Sequence, residues 1–353
     1  MDLDEWRSRI NDLDEQILKL LNKRAEAALR VGELKRRRDL PYFVPEREAE
    51  IVRRLLALNP GPFPAEGVKA VWREILSASL ALEHPLPIAY LGPPATFTHQ
   101  AAVLRFGSAA TVVPARSIAD VFEEVERGRA EFGVVPVENS TEGSINVTLD
   151  RLIDSDLLIA GELLLEITHH LLGRAQDLTA IRTVCSHSQA LAQCRQWLTA
   201  NLPDVTVEEV SSTSAAAERA ASDPTVAAVA SELAARLYDL PVLHRRIEDN
   251  PLNSTRLLVL GRRAMPPSGK DKTSILCSLK HEVGALAAFL EPFARHGLNL
   301  TKIESWPTKR RPWEYVFFVD FEGHADTPPV QAALAEIRGR CLFLKLLGSY
   351  PSA

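Results

Sequence analysis

Apolar residues in the first part of the chain recur at alternating steps of three and four, which is the period of an amphipathic α-helix. This pattern predicts one helix of roughly nine turns. Pro45, followed by Glu46, Arg47 and Glu48, indicates the acidic first turn of a second helix. A third helix is predicted from about residue 64 to residue 84. The apolar stripe of the first helix consists of Leu3, Trp6, Ile10, Leu13, Ile17, Leu20, Ala27, Val31 and Leu34. We therefore expect residues 1–86 to form an all-α domain.

After residue 86 the pattern changes to short apolar runs that alternate with helical stretches, which is typical of an α/β domain. We expect this central domain to span residues 87–264. A linker rich in proline and charge, residues 262–270, precedes a last segment, residues 272–353. The elements predicted there follow the order βαββαβ, which is ferredoxin-like.

Composition narrows the function classes. The 353 residues include 41 lysines and arginines against 46 aspartates and glutamates, a formal net charge of -5, which argues against nucleic-acid binding through a basic face. No apolar stretch is long enough to span a membrane and the chain starts with acidic residues, so we expect no membrane partner and a cytoplasmic location. The four cysteines have no metal-ligand spacing, which indicates inert thiols and no metal site.

Polar residues interrupt the apolar seam of the first domain. Arg24 falls on the seam, where a guanidinium must reach solvent or meet an anion. Lys35 follows 11 residues later, about 20° around the helix and about 16 Å along it, so both cations can converge on one small dianion. Arg7 lies about 26 Å before Arg24, and only an antiparallel second copy of the helix could bring it there, which predicts a homodimer. On the third helix, Ser79 and Glu83 share the inward face, and we expect Ser79 to be a substrate-binding residue. The alternative is that all five are ordinary surface residues whose stems cover the seam.

Residues 3–83 resemble the all-helical chorismate mutase domain. The motifs that carry the resemblance are Leu3-Asp4-Glu5-Trp6-Arg7, Val31-Gly32-Glu33-Leu34-Lys35, Val44-Pro45-Glu46-Arg47-Glu48-Ala49 and Ile75-Leu76-Ser77-Ala78-Ser79-Leu80. The resemblance implies carboxylate binding by Arg24, Arg47 and the partner subunit's Arg7, hydrogen bonds to the ether oxygen of chorismate from Lys35 and Glu83, and contact with the ring hydroxyl by Glu48. The rearrangement has no acid-base step, so cations that clamp a reactive conformer are the chemistry it needs.

Some members of that family have glutamine where Glu83 stands. A carboxyl group donates a hydrogen bond only when it is protonated. The mutase activity is therefore expected to rise toward acidic pH.

Hydroxyl-rich loops follow several strands of the central domain. These loops cover residues 136–141, 185–189, 211–214 and 253–256. Each alone could be a helix cap, but together they favour an anion site at the strand ends.

The same loops, with the opening Ile88-Ala89-Tyr90-Leu91-Gly92-Pro93, resemble those of prephenate dehydratases. That resemblance implies a two-lobed α/β fold like that of periplasmic binding proteins. It also implies loss of carbon dioxide and hydroxide from prephenate to give phenylpyruvate, with no cofactor and no metal. Thr255 is then the candidate proton or hydrogen-bond donor, and Arg256 a carboxylate anchor or site organiser. The remaining expected substrate-binding residues are Asn139, Ser140, Ser186, Gln193 and Thr213. We interpret His187 as structural rather than as a general acid.

The βαββαβ segment resembles an ACT regulatory domain. In dehydratases this region binds phenylalanine at a dimer interface and inhibits the enzyme. The positions that match the effector site are Gly284, Ala285, Leu286, Glu304 and Ser305. Trp306 stands where the motif has arginine, which removes a guanidinium with its donors and its charge. A domain that only dimerises is therefore the alternative.

The three resemblances follow one another from residue 3 to residue 350, in the order found in the bifunctional chorismate mutase/prephenate dehydratases of phenylalanine synthesis. We expect chorismate and prephenate as substrates, phenylalanine as effector, a homodimer, and no nucleic-acid partner. Two other interpretations are an arogenate dehydratase and a ligand-binding regulator that has lost the chemistry.

Overall fold

The chain divides into two compact units in a computed structural model, which describes residues 2–38, 40, 42–308 and 314–353. One unit comprises Met1–Pro87 and Val103–Thr111, and the other comprises Ile88–Ala102 and Val112–Ala353. Among the described residues, none of the helices has the length and apolar character needed to cross a membrane.

Three helices build the N-terminal unit: α1 (Leu3–Arg37), α2 (Pro45–Leu58) and α3 (Ala65–Glu83). Helix α1 starts with a capping box, in which Asp2 accepts from the Glu5 amide and the Glu5 side chain accepts from the Asp2 amide. Gly32 is buried where α1 packs on α3. The two helices are close there, since a Cβ added to Gly32 would lie 3.1 Å from the Glu83 Cβ. The predicted all-α architecture is confirmed.

The next elements form two α/β lobes. In chain order they are β1 (Pro87–Leu91), α4 (Phe97–Phe106), β2 (Thr111–Ala115), α5 (Ile118–Glu126), β3 (Phe132–Asn139), β4 (Gly143–Ser144), α6 (Asn146–Asp154), β5 (Leu158–Glu166), β6 (His170–Gly173), β7 (Thr183–Ser186), α7 (Ser188–Gln193), α8 (Arg195–Asn201), β8 (Thr206–Glu209), α9 (Thr213–Ser222), β9 (Val226–Ala230), α10 (Glu232–Leu237), β10 (Val242–His244) and β11 (Ser254–Gly261).

Each lobe has its own mixed sheet. The first sheet has the order β2-β1-β3-β11-β5, with β4 paired to β3, and the second has the order β10-β6-β9-β7-β8. The chain passes from the first sheet to the second after β5 and returns before β11. Strand β11 runs antiparallel to β3 and places Thr255 opposite Asn139. The predicted two-lobed α/β fold is confirmed.

The C-terminal segment is a four-stranded antiparallel sheet with two helices, as predicted. Its elements are β12 (Asp271–Leu279), α11 (Ala285–Arg295), β13 (Leu300–Pro307), β14 (Tyr315–Glu322), α12 (Pro328–Arg338) and β15 (Cys341–Pro351), with the strand order β13-β14-β12-β15.

Both faces of this sheet are buried. Ile275 and Phe321 belong to a core with the two helices, whereas Leu276 and Tyr350 belong to a core shared with the first lobe. Gly348 lies at the closest approach, since a Cβ there would overlap the Ile159 carbonyl oxygen. The C-terminal sheet is therefore docked on the first lobe through an apolar core.

Candidate active sites

Helices α1 and α3 bring together four of the predicted residues of the N-terminal unit. Arg24 donates to the Ser79 hydroxyl, which donates in turn to the Ile75 carbonyl oxygen at 2.7 Å. One turn further along α3, Glu83 Oε2 accepts from Lys35 Nζ at 2.9 Å. Arg24 and Lys35 are thus held on one side of α1, as the seam predicts.

Glu48 lies beside a cation that the sequence-based prediction missed. Arg105 Nη1 is 3.7 Å from Glu48 Oε2, and the Arg105 guanidinium lies 5.1 Å from the centre of the Phe43 ring. Burial raises the pKa of Glu48, and the nearby charges of Arg105 and Lys35 only partly oppose it. No helical periodicity links residue 105 to this domain, because it follows the domain along the chain; the contact of residues 103–111 with the helices reveals it.

Two predicted carboxylate ligands stay outside this group within one chain. The side chain of Arg7 is 66% exposed and pairs with Asp4 at 3.3 Å. The side chain of Arg47 is 61% exposed and pairs with Glu50 at 2.6 Å. Since α1 is one continuous helix, Arg7 cannot approach Arg24 of its own chain.

A cavity of about 510 Å³ opens between the two α/β lobes. Asn139 and Thr255 line it from the first lobe, and Gln193 and Thr213 line it from the second. Ser140, Ser186 and Arg256 do not line it. Ser186 is buried and donates to the Val229 carbonyl oxygen at 2.6 Å, and the Ser140 hydroxyl accepts from the Ser254 amide at 3.0 Å.

Asn139 orients the Thr255 hydroxyl. The side-chain oxygen of Asn139 accepts from the amides of Thr141 and Glu142 at 2.9 and 3.2 Å. Its NH₂ group is therefore turned toward Thr255 Oγ1, to which it donates at 2.9 Å. Because Thr255 Oγ1 accepts this bond, its own proton can be directed into the cavity.

His169 orients the Gln193 side chain in a similar way, and the sequence-based prediction missed it. His169 Nε2 lies 2.8 Å from Gln193 Oε1. An amide oxygen only accepts, so Nε2 carries the proton and the Gln193 NH₂ group remains a donor for the cavity. His169 Nδ1 is buried and has no hydrogen-bond partner among the described residues. Burial lowers the pKa of His169, and Gln193 and Glu248 oppose this effect only in part. The lowered pKa favours the neutral ring.

His187 also lines the cavity, and its Nδ1 accepts from the Gln189 amide at 3.3 Å, which caps α7. Ser212 has the same role for α9, since its hydroxyl accepts from the Ala215 amide at 3.0 Å. Part of the hydroxyl-rich pattern is therefore helix capping at the rim of the cavity.

Arg256 faces the C-terminal sheet, on the opposite side of β11 from Thr255. It bonds Glu162 at 2.7 Å, Asp320 at 2.6 Å and the Tyr350 hydroxyl at 3.0 Å. Burial would lower the pKa of Arg256, but the carboxylates of Asp320 and Glu162 outweigh it and raise that pKa. Its charge is thus matched inside the protein.

The predicted effector residues occupy two places in the C-terminal sheet and helices. Gly284 has a φ of 81° and precedes α11, which begins with Ala285 and Leu286. Glu304 and Ser305 are neighbours on β13, so their side chains point to opposite faces. Glu304 faces the first lobe, where its carboxylate accepts from Ser144 Oγ at 2.8 Å, and Ser305 is exposed.

Trp306 faces the same way as Glu304. Its indole Nε1 donates to Asp150 Oδ1 at 2.9 Å, and its ring packs against the core shared with the first lobe. In this chain, position 306 is thus an interdomain contact.

Among the described residues, no group of three or more histidine, cysteine, aspartate or glutamate side chains is arranged to hold a metal ion. The four cysteines are free thiols.

Three family models match the chain in sequence order. Chorismate mutase type II matches residues 6–84, prephenate dehydratase matches residues 88–265 and the ACT domain matches residues 273–339. The bifunctional chorismate mutase/prephenate dehydratase of Aquifex aeolicus is 52% identical over 356 residues, which cover 100% of this chain and 98% of that protein.

Two solved structures each cover about three quarters of the chain. The prephenate dehydratase of Arthrobacter aurescens, in complex with L-Phe, matches with a TM-score of 0.69 and 36% identity, over 75% of this chain and 90% of that one. GqqA, described as a quorum quenching acylase, also matches with a TM-score of 0.69, at 31% identity over 76% of this chain and 98% of that one.

Proposed function

Because the chain belongs to the family of bifunctional chorismate mutase/prephenate dehydratases, we propose that its two sites carry out consecutive steps of phenylalanine biosynthesis. The helical domain, residues 1–86, rearranges chorismate to prephenate. The central domain, residues 87–264, converts prephenate to phenylpyruvate, and residues 272–353 regulate it. The observation that carries this assignment is the match to the Aquifex aeolicus enzyme over the whole chain, which includes both catalytic domains.

In the mutase site, charge complementarity supports the assigned roles. Chorismate carries two carboxylates, and its reactive conformer holds them in one fixed geometry. Arg24, Arg47 and the partner subunit's Arg7 bind the carboxylates, while Glu48 binds the ring hydroxyl. Lys35 and Glu83, which already meet at 2.9 Å, donate to the ether oxygen as its bond to carbon breaks. Ser79 positions Arg24 through their hydrogen bond.

The position of Arg7 and the surface of α1 support a homodimer. Apolar side chains along α1 are about half exposed or more, at 49% for Trp6, 55% for Ile10 and 54% for Ile17. An antiparallel second copy of α1 would cover this stripe and bring the partner subunit's Arg7 to the site.

In the dehydratase cavity, Thr255 donates a hydrogen bond to the leaving hydroxyl. The bond between the ring and the carboxylate breaks, carbon dioxide leaves, and the electron pair moves into the ring as the hydroxide departs. Aromatisation supplies the driving force, so the protein has to bind the carboxylates and stabilise the departing oxygen. Asn139 holds Thr255 at 2.9 Å, and the donors of Gln193 and Thr213 bind carboxylate.

Ser140, Ser186 and Arg256 support this cavity from outside its lining. Ser140 ties the end of β3 to the start of β11, and Ser186 fixes the end of β7 on β9. Of the two roles considered for Arg256, site organiser is the one that its partners Glu162 and Asp320 favour.

Phenylalanine is proposed as the inhibitor of the dehydratase, at a site formed by Gly284, Ala285, Leu286, Glu304 and Ser305 between two C-terminal domains. The similar prephenate dehydratase of Arthrobacter aurescens has a crystal structure in complex with L-Phe. A cytoplasmic location is also proposed, because free thiols suit a reducing compartment.

The test is a coupled assay that follows loss of chorismate and appearance of phenylpyruvate, with prephenate and arogenate compared as dehydratase substrates. Thr255→Val should lower dehydratase turnover at least about 100-fold, since one positioned donor is lost. The matched control is Thr199→Val, an exposed threonine of the second lobe. Mutase rates should stay unchanged in both variants. Near-normal dehydratase turnover in Thr255→Val would move the donor role to another residue.

A second prediction concerns the pH dependence of the mutase. If Glu83 donates to the ether oxygen, Glu83→Gln should keep its donor at every pH, so the mutase rate of this variant should depend less on pH than the wild-type rate. Glu33→Gln, at the exposed ion pair with Arg30, is the control and should keep the wild-type profile. A Glu83→Gln profile that matches the wild type would contradict the prediction.

A further inference from the structure

Strand β13 of the ACT domain presents alternate side chains to the central domain. Lys302, Glu304 and Trp306 are partly buried, whereas the residues between them are exposed. Lys302 Nζ lies 2.8 Å from Glu138 Oε2 and 3.0 Å from Glu304 Oε2. Glu304 Oε2 also accepts from Ser144 Oγ at 2.8 Å. Two residues of the ACT domain and two of the central domain therefore form one charged network.

The network ends on the wall of the dehydratase cavity. Glu138 and Ser144 are paired across the hairpin formed by β3 and β4. Glu138 directly precedes Asn139, the residue that orients Thr255, and Ser144 itself lines the cavity. Adjacent residues on a strand point to opposite faces. A bond that fixes Glu138 on the outer face thus fixes the backbone that carries Asn139 on the inner face.

The contact is more buried on the side of the ACT domain than on that of the central domain, where 37% of the Glu138 side chain is exposed. Only 17% of the Lys302 side chain and 23% of the Glu304 side chain are exposed. Lys302 Nζ is also 3.5 Å from Ser144 Oγ. An ammonium shared between two carboxylates satisfies both with charge-assisted bonds, and loss of the ammonium would leave those carboxylates facing one another across the interface.

We propose that Lys302 is a positioning residue for the dehydratase reaction, supplied to the catalytic domain by the regulatory domain. It holds the hairpin of residues 138–144 so that Asn139 can orient Thr255. Glu304 belongs to the proposed effector site and accepts a hydrogen bond from Ser144 Oγ. A ligand that moves the Glu304 carboxylate therefore also moves the Ser144 side chain on the cavity wall.

This inference rests on the proposed dehydratase activity, so the wild-type rate with prephenate is measured first. The test variant is Lys302→Met in the full-length chain. We expect its dehydratase kcat to fall roughly tenfold or more, with KM changed less than about twofold, because Thr255 acts on the leaving group. Mutase rates should not change, and Lys302→Arg should recover most of the lost turnover. Glu138→Gln, which breaks the same pair from the central domain, should give a similar loss, and the double variant should lose no more than either single variant.

Two controls separate positioning from general damage. Lys270→Met changes an exposed lysine of the linker that precedes the ACT domain and should leave kcat at the wild-type value. Lys345→Met breaks a different contact of the docked sheet, in which Lys345 Nζ bonds the carbonyl oxygens of Leu152, Ile153 and Ser155 at the end of α6. A kcat of Lys302→Met within about twofold of the wild type would overturn the proposal. An equal loss of kcat in Lys345→Met would also overturn it, since the loss would then follow from docking alone. Failure of the dehydratase assignment itself would appear in the wild-type enzyme, before any variant is compared.

Discussion

At the residue scale, the donors of the dehydratase cavity owe their direction to neighbouring side chains. Thr255 is oriented by Asn139, which is itself held by two backbone amides. Gln193 is oriented by His169. A hydroxyl or an amide that is fixed before substrate arrives loses less entropy when it binds, so these orienting residues should influence the rate although they need not touch the substrate.

The role of His169 gives a prediction for substrate binding. His169→Phe keeps a planar ring in the buried site but removes the Nε2 donor that holds Gln193. The KM for prephenate should rise about tenfold, because the amide is then free to turn its oxygen toward a carboxylate. Steady-state kinetics with prephenate measure this change. His244→Phe, at an exposed histidine of the same lobe, is the control, and an unchanged KM in His169→Phe would show that Gln193 needs no orienting partner.

The same residue links stability to pH. Burial lowers the pKa of His169 from its ordinary value of 6.5, and burial also lowers the pKa of the adjacent His170. Glu248 and the Gln193 amide face His169 and oppose this effect only in part. The unfolded chain therefore binds protons more readily than the folded chain, and stability should be lost as the pH falls below about 6.5. Urea unfolding at pH 7 and pH 5.5 should show a smaller loss in His169→Phe than in the wild type.

At the element scale, hydrophobic periodicity predicts which helices and strands form. It predicts less well which neighbouring element each face packs against. The order βαββαβ and the helices of the N-terminal unit follow from the sequence because each has one apolar face and a clear period. The docking of the C-terminal sheet does not follow. Strand β14, Tyr315–Glu322, is apolar at nearly every position because both of its faces are buried, so its pattern contains no information about which face meets the helices.

Strand β6 has too few apolar residues to be predicted from the sequence. It begins with His170, which is buried and whose Nδ1 accepts from the Arg246 amide at 3.0 Å. This leaves only Leu171 and Leu172 as an apolar run, which is too short to predict a strand, whereas every residue of β9, Val226–Ala230, is apolar.

The alternation of side chains along β11 is enough to show that Arg256 and Thr255 cannot both face the cavity. The resemblance implies that Arg256 is a carboxylate anchor or a site organiser beside Thr255, but neighbouring residues of a strand point to opposite faces of the sheet. Once residues 254–261 are recognised as a strand, only one of the two can face the cavity. The structure assigns that face to Thr255. In contrast, the sequence does not identify His169 and Arg105 as site residues. Each contacts its partner, Gln193 or Glu48, only because the fold brings them together.

At the scale of the whole molecule, a net charge of -5 conceals opposite local charges. The proposed mutase site contains Arg24 and Lys35 of α1, and Arg7, another proposed carboxylate ligand, lies near the opposite end of the same helix. If Arg7 acts at this site, it must come from a second chain, because α1 is one continuous helix. The dehydratase cavity, by comparison, is lined by two lobes of one chain. The two activities should therefore differ in their dependence on subunit association.

Subunit complementation tests this difference. Arg7→Ala and Lys35→Met should each abolish most mutase activity, because each removes a cation that every site needs. When the two variants are unfolded together and refolded in equal amounts, half of the dimers are hybrids, and each hybrid contains one site with both cations intact. Mutase activity should then recover to roughly a quarter of the wild-type value, as the symmetry of two composite sites requires. Dehydratase rates of both variants and of the mixture should stay at the wild-type level and serve as the internal control for refolding. Activity that stays at the level of the separate variants would mean that Arg7 acts within its own chain or not at all, and the exposed stripe of α1 would then need a different explanation.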